Sequence, residues 1–160
     1  MDNATKHYYI SVAGVLGSGK TTASALLAKH LNLPLFEEKA EENVFLPLFY
    51  KDPKRWALPA QLFYLQQRID SLLSIKELLK KTSIVQDSPI YQDHFTYAQA
   101  QKVLGHVTQE EYKLYEKYFY LFLKDLPVPD MIIQLEVSLP VLIERIRTRN
   151  REYERGIDTA

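Results

Sequence analysis

The residues best suited to chemistry stand together near the start of the chain: Gly14 Val15 Leu16 Gly17 Ser18 Gly19 Lys20 Thr21 Thr22, directly after the apolar run Ile10 Ser11 Val12 Ala13. A G-x-x-x-x-G-K-[ST] pattern, with a buried-strand signature before it and a helix-forming run after it, is an arrangement that cradles phosphates. Glycines let successive backbone N–H groups turn inward around an anion, and the helix N-terminus adds partial positive charge. Lys20 has the reach for outer phosphates, and the Thr21 hydroxyl can ligate Mg²⁺. A bare Gly-rich turn would need neither. A second group of suitable residues lies far along the chain, where Arg145, Arg147, Arg149, Arg151 and Arg155 form a basic segment. Arg145 and Arg149 share a helix face at i, i+4. A run of arginines is often a solvated face, but the loop gives this one an anionic target.

The elements that must position these residues follow from periodicity and punctuation. Met1 to Lys6 is a polar tail and His7 to Ala13 a first strand, and helix one runs from Thr22 to about Leu31, before Asn32 and Pro34 oppose continuation. Pro34 Leu35 Phe36 reads as a short strand delivering Glu37 and Glu38 to its carboxyl end, where ligands sit in an open parallel sheet. Glu42 to Tyr50 is a short helix. Asp52 Pro53 then restarts the chain into a long helix from about Arg55 to Lys81, with Pro59 in its first turn. Leu62, Leu65, Ile69, Leu72, Ile75 and Leu79 trace its core face, and two turns bring Gln61 and Arg68 to one side.

Ser83 to Asp87 is a third strand ending in a carboxylate, broken by Ser88 Pro89. Tyr91 to Val103 is helical and closed by Gly105, with Asp93 and Tyr97 neighbours at i, i+4. Thr108 Gln109 Glu110 Glu111 is a capping box. It opens a helix whose stripe of Tyr112, Tyr115, Phe119, Phe122 and Leu126 suits a core or a subunit interface. Met131 to Val137 is a fourth strand, and Ser138 caps a last helix with Pro140 in its first turn. Strands alternating with helices imply a three-layer α/β/α domain around a parallel sheet, occupying residues 1–160 as one domain. A further strand and helix would ordinarily complete such a sheet after the basic segment. Either the sequence is truncated at Ala160 or another element covers that edge.

Composition narrows the partners. With 46% hydrophobic residues over 160 positions the chain can bury a core, and Lys plus Arg (20) balance Asp plus Glu (20), which argues against holding a nucleic acid through bulk charge. The absence of cysteine excludes a disulfide framework and a thiolate metal site, and fits a cytoplasmic setting. No stretch resembles a signal peptide or a membrane span.

The order of Gly14 to Thr21, Glu38, Tyr50 with Arg55 Trp56, Gln61, Arg68, Asp87, Asp93, Tyr97, then Arg149 Asn150 Arg151 and Glu154 resembles the deoxyribonucleoside kinases, the group containing deoxycytidine, deoxyguanosine and deoxyadenosine kinases. The loop is shared by many NTPases; Tyr50 through Gln61 and the Arg-rich segment are more specific to this group. The resemblance implies a P-loop kinase with an Arg-rich lid at about 145–157, transferring phosphate from ATP with Mg²⁺ to the 5′-hydroxyl of a deoxynucleoside for salvage. It further implies a homodimer packed through helices. Glu38 looks like the family's base, with Glu37 the obvious misassignment, and Asp87 like the carboxylate near Mg²⁺, beside Thr21. Arg145, Arg149 and Arg151 look like lid arginines that close over the donor phosphates. Gln61 matches the amide that bonds the base edge, Tyr97 the aromatic that stacks on it, and Tyr50 with Glu154 the clamp on the sugar 3′-hydroxyl. The pair Arg68 and Asp93 resembles members that accept deoxycytidine and purine deoxynucleosides rather than thymidine.

Two departures stand out. Ser88 Pro89 follow Asp87 where the family has Arg-Ser, which leaves Glu38 without its usual cationic neighbour, and Lys39 replaces a proline after Glu38. The Lys39 ammonium would partly replace the lost guanidinium, an expectation that backbone alternation after Glu38 opposes. Two other functions compete with the kinase reading. A nucleoside monophosphate kinase of thymidylate-kinase type shares the loop and lid, but a carboxylate at Glu38 would repel an acceptor phosphate, whereas an alcohol needs a base. A non-catalytic nucleotide-binding module is favoured by Ser88 and the early end of the sequence.

Overall fold

The computed structural model describes residues 6–151. Strands β1 (Tyr9–Ala13), β2 (Leu35–Phe36), β3 (Ile84–Asp87) and β4 (Met131–Gln134) form one sheet in the order β2-β3-β1-β4. Every pairing is parallel, with Tyr9 opposite Ile84, Leu35 opposite Val85 and Ile10 opposite Met131. Side chains alternate across this sheet. Tyr9 and Ile84 face a core built with helices α3 (Pro53–Leu78) and α6 (Gln109–Leu123), through Leu65, Leu72, Ile75, Tyr115 and Phe119. Val12 and Val85 face the opposite way, onto Ala28 and Leu27 of α1 (Lys20–Leu31). Both faces of β1 and β3 are therefore covered, so that even their polar members Ser11, Gln86 and Asp87 are buried. The result is the expected three-layer α/β arrangement, and the carboxyl ends of all four strands lie on the edge that carries the loop after β1.

The long helix departs from expectation at its start. Asp52 accepts a hydrogen bond from the Arg55 N–H at 3.3 Å, so the helix begins at Pro53, where a missing N–H costs little. Pro59 consequently lies inside the helix rather than in its first turn, and the Arg55 carbonyl lacks its helical donor. The inward stripe of α3 runs Ala57, Gln61, Leu65, Arg68, Leu72, Ile75, while Leu62, expected in the core, is exposed. Two polar residues thus occupy positions in a stripe that is otherwise apolar.

The expected helix from Glu42 to Tyr50 is split. A 3₁₀ turn (Ala40–Glu42) and α2 (Leu46–Lys51) flank Asn43, whose buried amide donates to the Ala60 carbonyl at 3.1 Å and accepts from the Phe45 N–H at 3.1 Å. These bonds satisfy Asn43 outside a helix, the usual competition between a short polar side chain and helical backbone. Between β3 and α6 the chain forms α4 (Ile90–Gln92), a π-helical turn (Asp93–Ala98) and α5 (Gln99–Val103), closed by Gly105 at φ +71°. The capping box of α6 is formed, with Thr108 accepting from the Glu111 N–H at 3.2 Å and Glu111 accepting from the Thr108 N–H at 2.8 Å. The stripe above it packs into the core through Tyr112, Tyr115, Phe119 and Leu126, but Phe122 is exposed. Ser138 precedes α7 (Leu139–Arg149) without a side-chain cap bond. Among the described residues no helix is long and apolar enough to cross a membrane.

Candidate active site

The loop after β1 is held by its own backbone. Gly17 and Gly19 take φ of +79° and +95°, a region costly for side chains, and the Ser18 N–H closes a turn onto the Val15 carbonyl at 3.0 Å. A Cβ at Gly17 would come within 3.1 Å of Ile146 and 3.2 Å of the Leu142 carbonyl, both on α7. The helix α1 starts at Lys20, earlier than the sequence suggested, and Gly19 caps it without a side-chain bond. Lys20 and Thr21 therefore sit in a first turn whose N–H groups no side chain among the described residues has claimed, the arrangement that favours an anion.

Around this turn the charges are close. Burial lowers the Lys20 pKa, with Glu38, Asp87 and Asp93 pulling it back and Arg149 adding to the fall. The Thr21 hydroxyl donates to Asp87 Oδ2 at 2.6 Å. Burial raises the Asp87 pKa, and this hydrogen bond opposes the rise. A hydroxyl and a carboxylate oxygen at that spacing are hard donors of the kind Mg²⁺ takes when phosphates and water complete its shell. Among the described residues no cluster of 3 or more His, Cys, Asp or Glu could hold a metal ion.

Across the cavity the central group is Arg68. Its side chain is only 5% exposed, and Nε donates to Asp93 Oδ2 at 2.8 Å, Nη1 to the Asp87 carbonyl at 3.1 Å, while Nη2 approaches Glu38 Oε2 at 3.5 Å. Burial opposes the Arg68 charge, but Asp93 and Glu38 outweigh it and its pKa rises. Burial also pushes Asp93 up, to about 6, against the pull of Arg68. Arg68 is the partner that stays charged, because the arginine pKa lies far above any working pH; Asp93 is the one that gives up its charge as pH falls. The contact with Glu38 corrects an expectation. Glu38 does have a cationic neighbour, supplied from α3. Lys39 turns away and pairs with Glu42 at 3.0 Å. Ser88, where the family has arginine, is buried at φ +65° with its hydroxyl 3.3 Å from Asp87 Oδ1.

A cavity of about 200 Å³ brings together Leu16, Lys20, Thr21, Glu38, Tyr50, Gln61, Asp93, Tyr97, Arg149 and Arg151. Arg68 and Asp87 join them through the contacts above. Glu37 faces a neighbouring cavity beside Lys39, Glu42 and Asp70; Glu38 lines both. Arg145 does not reach the cavity. Its Nη1 donates to the Ser18 carbonyl at 2.9 Å, on the outside of the loop. Gly14, Val15, Ser18 and Thr22 belong to the loop and the first turn of α1 without lining the cavity. Glu154 lies outside the described residues. The cavity also takes in Phe49, Tyr64 and Gln101, which the sequence reading passed over. Tyr64 could have been found there, because it follows Gln61 at i+3 on one helix face.

A phosphate loop at the end of the first strand of a parallel sheet, next to the carboxyl ends of its neighbours, defines an α/β nucleotide-binding protein of the P-loop class. The deoxynucleoside kinase family model matches residues 10–160, and the chain belongs to that family. It is 35% identical over 149 residues to the deoxyadenosine kinase of Dictyostelium discoideum, covering 93% of this chain and 60% of that protein. With the deoxyguanosine kinase of Bacillus subtilis strain 168 it shares 31% identity, covering 95% of this chain and 72% of the relative. The structure of the M. mycoides deoxyadenosine kinase with products dCMP and a flexible dCDP bound superposes with a TM-score of 0.83 at 30% identity, over 94% of this chain and 75% of that one. The chain thus spans about three fifths to three quarters of the length of these relatives.

Proposed function

We propose that the protein transfers the terminal phosphate of ATP to the 5′-hydroxyl of a deoxynucleoside, with deoxyadenosine, deoxyguanosine or deoxycytidine preferred over thymidine, and so serves nucleotide salvage. The observation that carries this reading is the convergence of Glu38, Lys20 and Thr21 on one cavity with Gln61, Asp93 and Tyr97. A carboxylate poised opposite a phosphate loop suits an alcohol acceptor, and would repel an acceptor that already carries a phosphate. Membership of the family and the names of its relatives point the same way.

In this reading the loop from Gly14 to Thr22 and Lys20 hold the donor phosphates. Thr21 and Asp87 would hold Mg²⁺, which neutralises phosphate charge when bound. Glu38 accepts the hydroxyl proton as the new O–P bond forms and the bond to the departing diphosphate breaks. Arg68 fixes the Glu38 carboxylate by charge. Arg149 and Arg151 offset charge growing on the transferred group. Arg145 acts at one remove, by bracing the loop carbonyls. Gln61 and Tyr97 take the base, Arg68 and Asp93 set which base is accepted, and Tyr50 with Glu154 takes the sugar.

The chain is proposed to work as one domain over residues 1–160, with a lid at about 145–157, as a homodimer in the cytoplasm. Exposed Leu114, Tyr118, Leu121 and Phe122 on or next to the outer side of α6 support the dimer; a light-scattering mass of one chain would overturn it. The cytoplasmic setting rests on the lack of cysteine, and recovery in an extracellular fraction would remove it.

The deciding experiment offers Mg·ATP with each deoxynucleoside and each monophosphate, and separates the products. A deoxynucleoside monophosphate should form, and Glu38→Gln should lower turnover by about 10²- to 10⁴-fold. Transfer to monophosphates alone would replace the proposal with a monophosphate kinase. No transfer from folded, ATP-bound protein would leave a nucleotide-binding module.

A further inference from the structure

Gln92, at the end of α4, is buried, and its two ends touch the two halves of the site. Its Oε1 accepts from the Gly14 N–H at 2.9 Å, and its Nε2 donates to the Tyr97 hydroxyl at 3.2 Å. The first bond dictates the second. A backbone N–H requires an oxygen, so the amide NH₂ must face Tyr97, and the Tyr97 oxygen must accept. The Tyr97 proton is left for a different acceptor.

This bridge depends on the π turn. In an α-helix residues five apart lie on different faces, and only pairs three or four apart meet. A π turn bonds i to i+5 and brings such a pair together. Because the turn spans Asp93–Ala98, Gln92 reaches Tyr97 from just before it. Gly14 opens the loop that leads to Lys20, and Tyr97 lines the nucleoside cavity beside Glu38. Gln92 itself does not line that cavity; it touches it through Tyr97.

We propose that Gln92 is a positioning residue that couples the phosphate loop to the nucleoside cavity, so that occupancy of one tightens binding at the other. The inference rests on the kinase reading above. An amide with both ends engaged and no exposed freedom transmits a displacement of the Gly14 N–H directly to the ring that takes the base. Such coupling is reciprocal by thermodynamic necessity.

The test is a binding cycle on the full chain. The Kd of deoxyadenosine is measured by calorimetry with and without Mg²⁺ and a non-hydrolysable ATP analogue, for wild type, Gln92→Leu, Tyr97→Phe and the double variant. Wild type should bind the nucleoside at least about 5-fold more tightly when the analogue is present. Each single variant should bring that ratio close to unity, and the double variant should add nothing further, as expected when both act along one path. A merely structural Gln92 would alter melting temperature and leave the ratio intact. An unchanged ratio in Gln92→Leu, or no coupling in wild type, overturns the inference. If Gln92→Leu fails to fold, Tyr97→Phe decides alone, since it keeps the ring and the Gly14 bond. Wild-type protein that transfers no phosphate to any nucleoside overturns the kinase reading and this inference together. Transfer with unaltered coupling overturns the inference only.

Discussion

The two halves of the candidate site are made from different materials. The side that carries the phosphate loop is built from backbone: glycines at positive φ, a turn closed by main-chain bonds, and a helix start that Gly19 caps without a side-chain bond. The side proposed to take the nucleoside is built from side chains brought together by packing, with Arg68 of α3 joining Asp93, the Asp87 carbonyl and Glu38. A backbone site follows from local sequence and tolerates change at its rim. A side-chain site follows from tertiary packing and fails when one partner is removed. The difference can be tested by striking each half with the kind of change to which it should be sensitive.

The largest effect is expected at Arg68. Replacing it by methionine leaves Asp93 buried without its cation, a loss that typically costs about 3–5 kcal/mol, read as a lower denaturation midpoint. Turnover should fall as well, because Glu38 loses its charge partner. Pairing the change with Asp93→Asn should recover much of the stability and little of the turnover. If Arg68→Met alone left stability unchanged, the nucleoside side would not be held by this ion pair.

On the phosphate side the matching strike is Gly17→Ala. The left-handed backbone alone costs a side chain about 1–2 kcal/mol, and the new methyl meets Ile146 and the Leu142 carbonyl. KM for ATP should rise while the KM for nucleoside, measured at saturating ATP, stays near its wild-type value. A rise in the nucleoside KM alone would break the comparison.

The smallest effect concerns the footing of the nucleoside side. His94, next to Asp93, stacks at 4.2 Å on Phe119 and is buried. Burial lowers its pKa, with Glu116 opposing. The folded pKa lies below that of the unfolded chain, about 6.5, so the unfolded state takes up the proton first as pH falls. Stability from the neutral ring is complete above that value and is lost below it. His94→Phe should remove this acid-side loss while differing from wild type by about 1 kcal/mol or less at pH 8. Urea denaturation of both proteins at pH 8 and pH 5 gives the comparison, and an identical pH dependence would sink it.

The same division explains what the sequence disclosed. The loop is contiguous, so Gly14 to Thr21 could be read with its strand and helix, and the alternation of strands and helices led to the three-layer sheet. Glu38, Gln61 and Tyr97 were reached through family resemblance, and one cavity gathers them. The contact between Arg68 and Glu38 was missed because the two residues come from different elements, and only packing brings them together. Gln92 was missed for a related reason, since no local pattern announces a π turn and the expected spacing on a helix is three or four. Pro59 was misplaced because the cap at Asp52 moved the helix start, and Asn43 broke a helix through a long-range bond to Ala60 that periodicity does not encode.

The Arg68 fork carries an evolutionary consequence. One guanidinium meets the group proposed to choose the base, the group proposed to take the proton and the main-chain carbonyl of the proposed metal ligand. Preference and rate are then not separate traits at this position. On the proposed reading, a lineage or an engineer seeking a different nucleoside could not trade Arg68 away without also handicapping the reaction. New preferences would have to be acquired first at residues that meet the base alone, such as Gln61, with Arg68 the last to change.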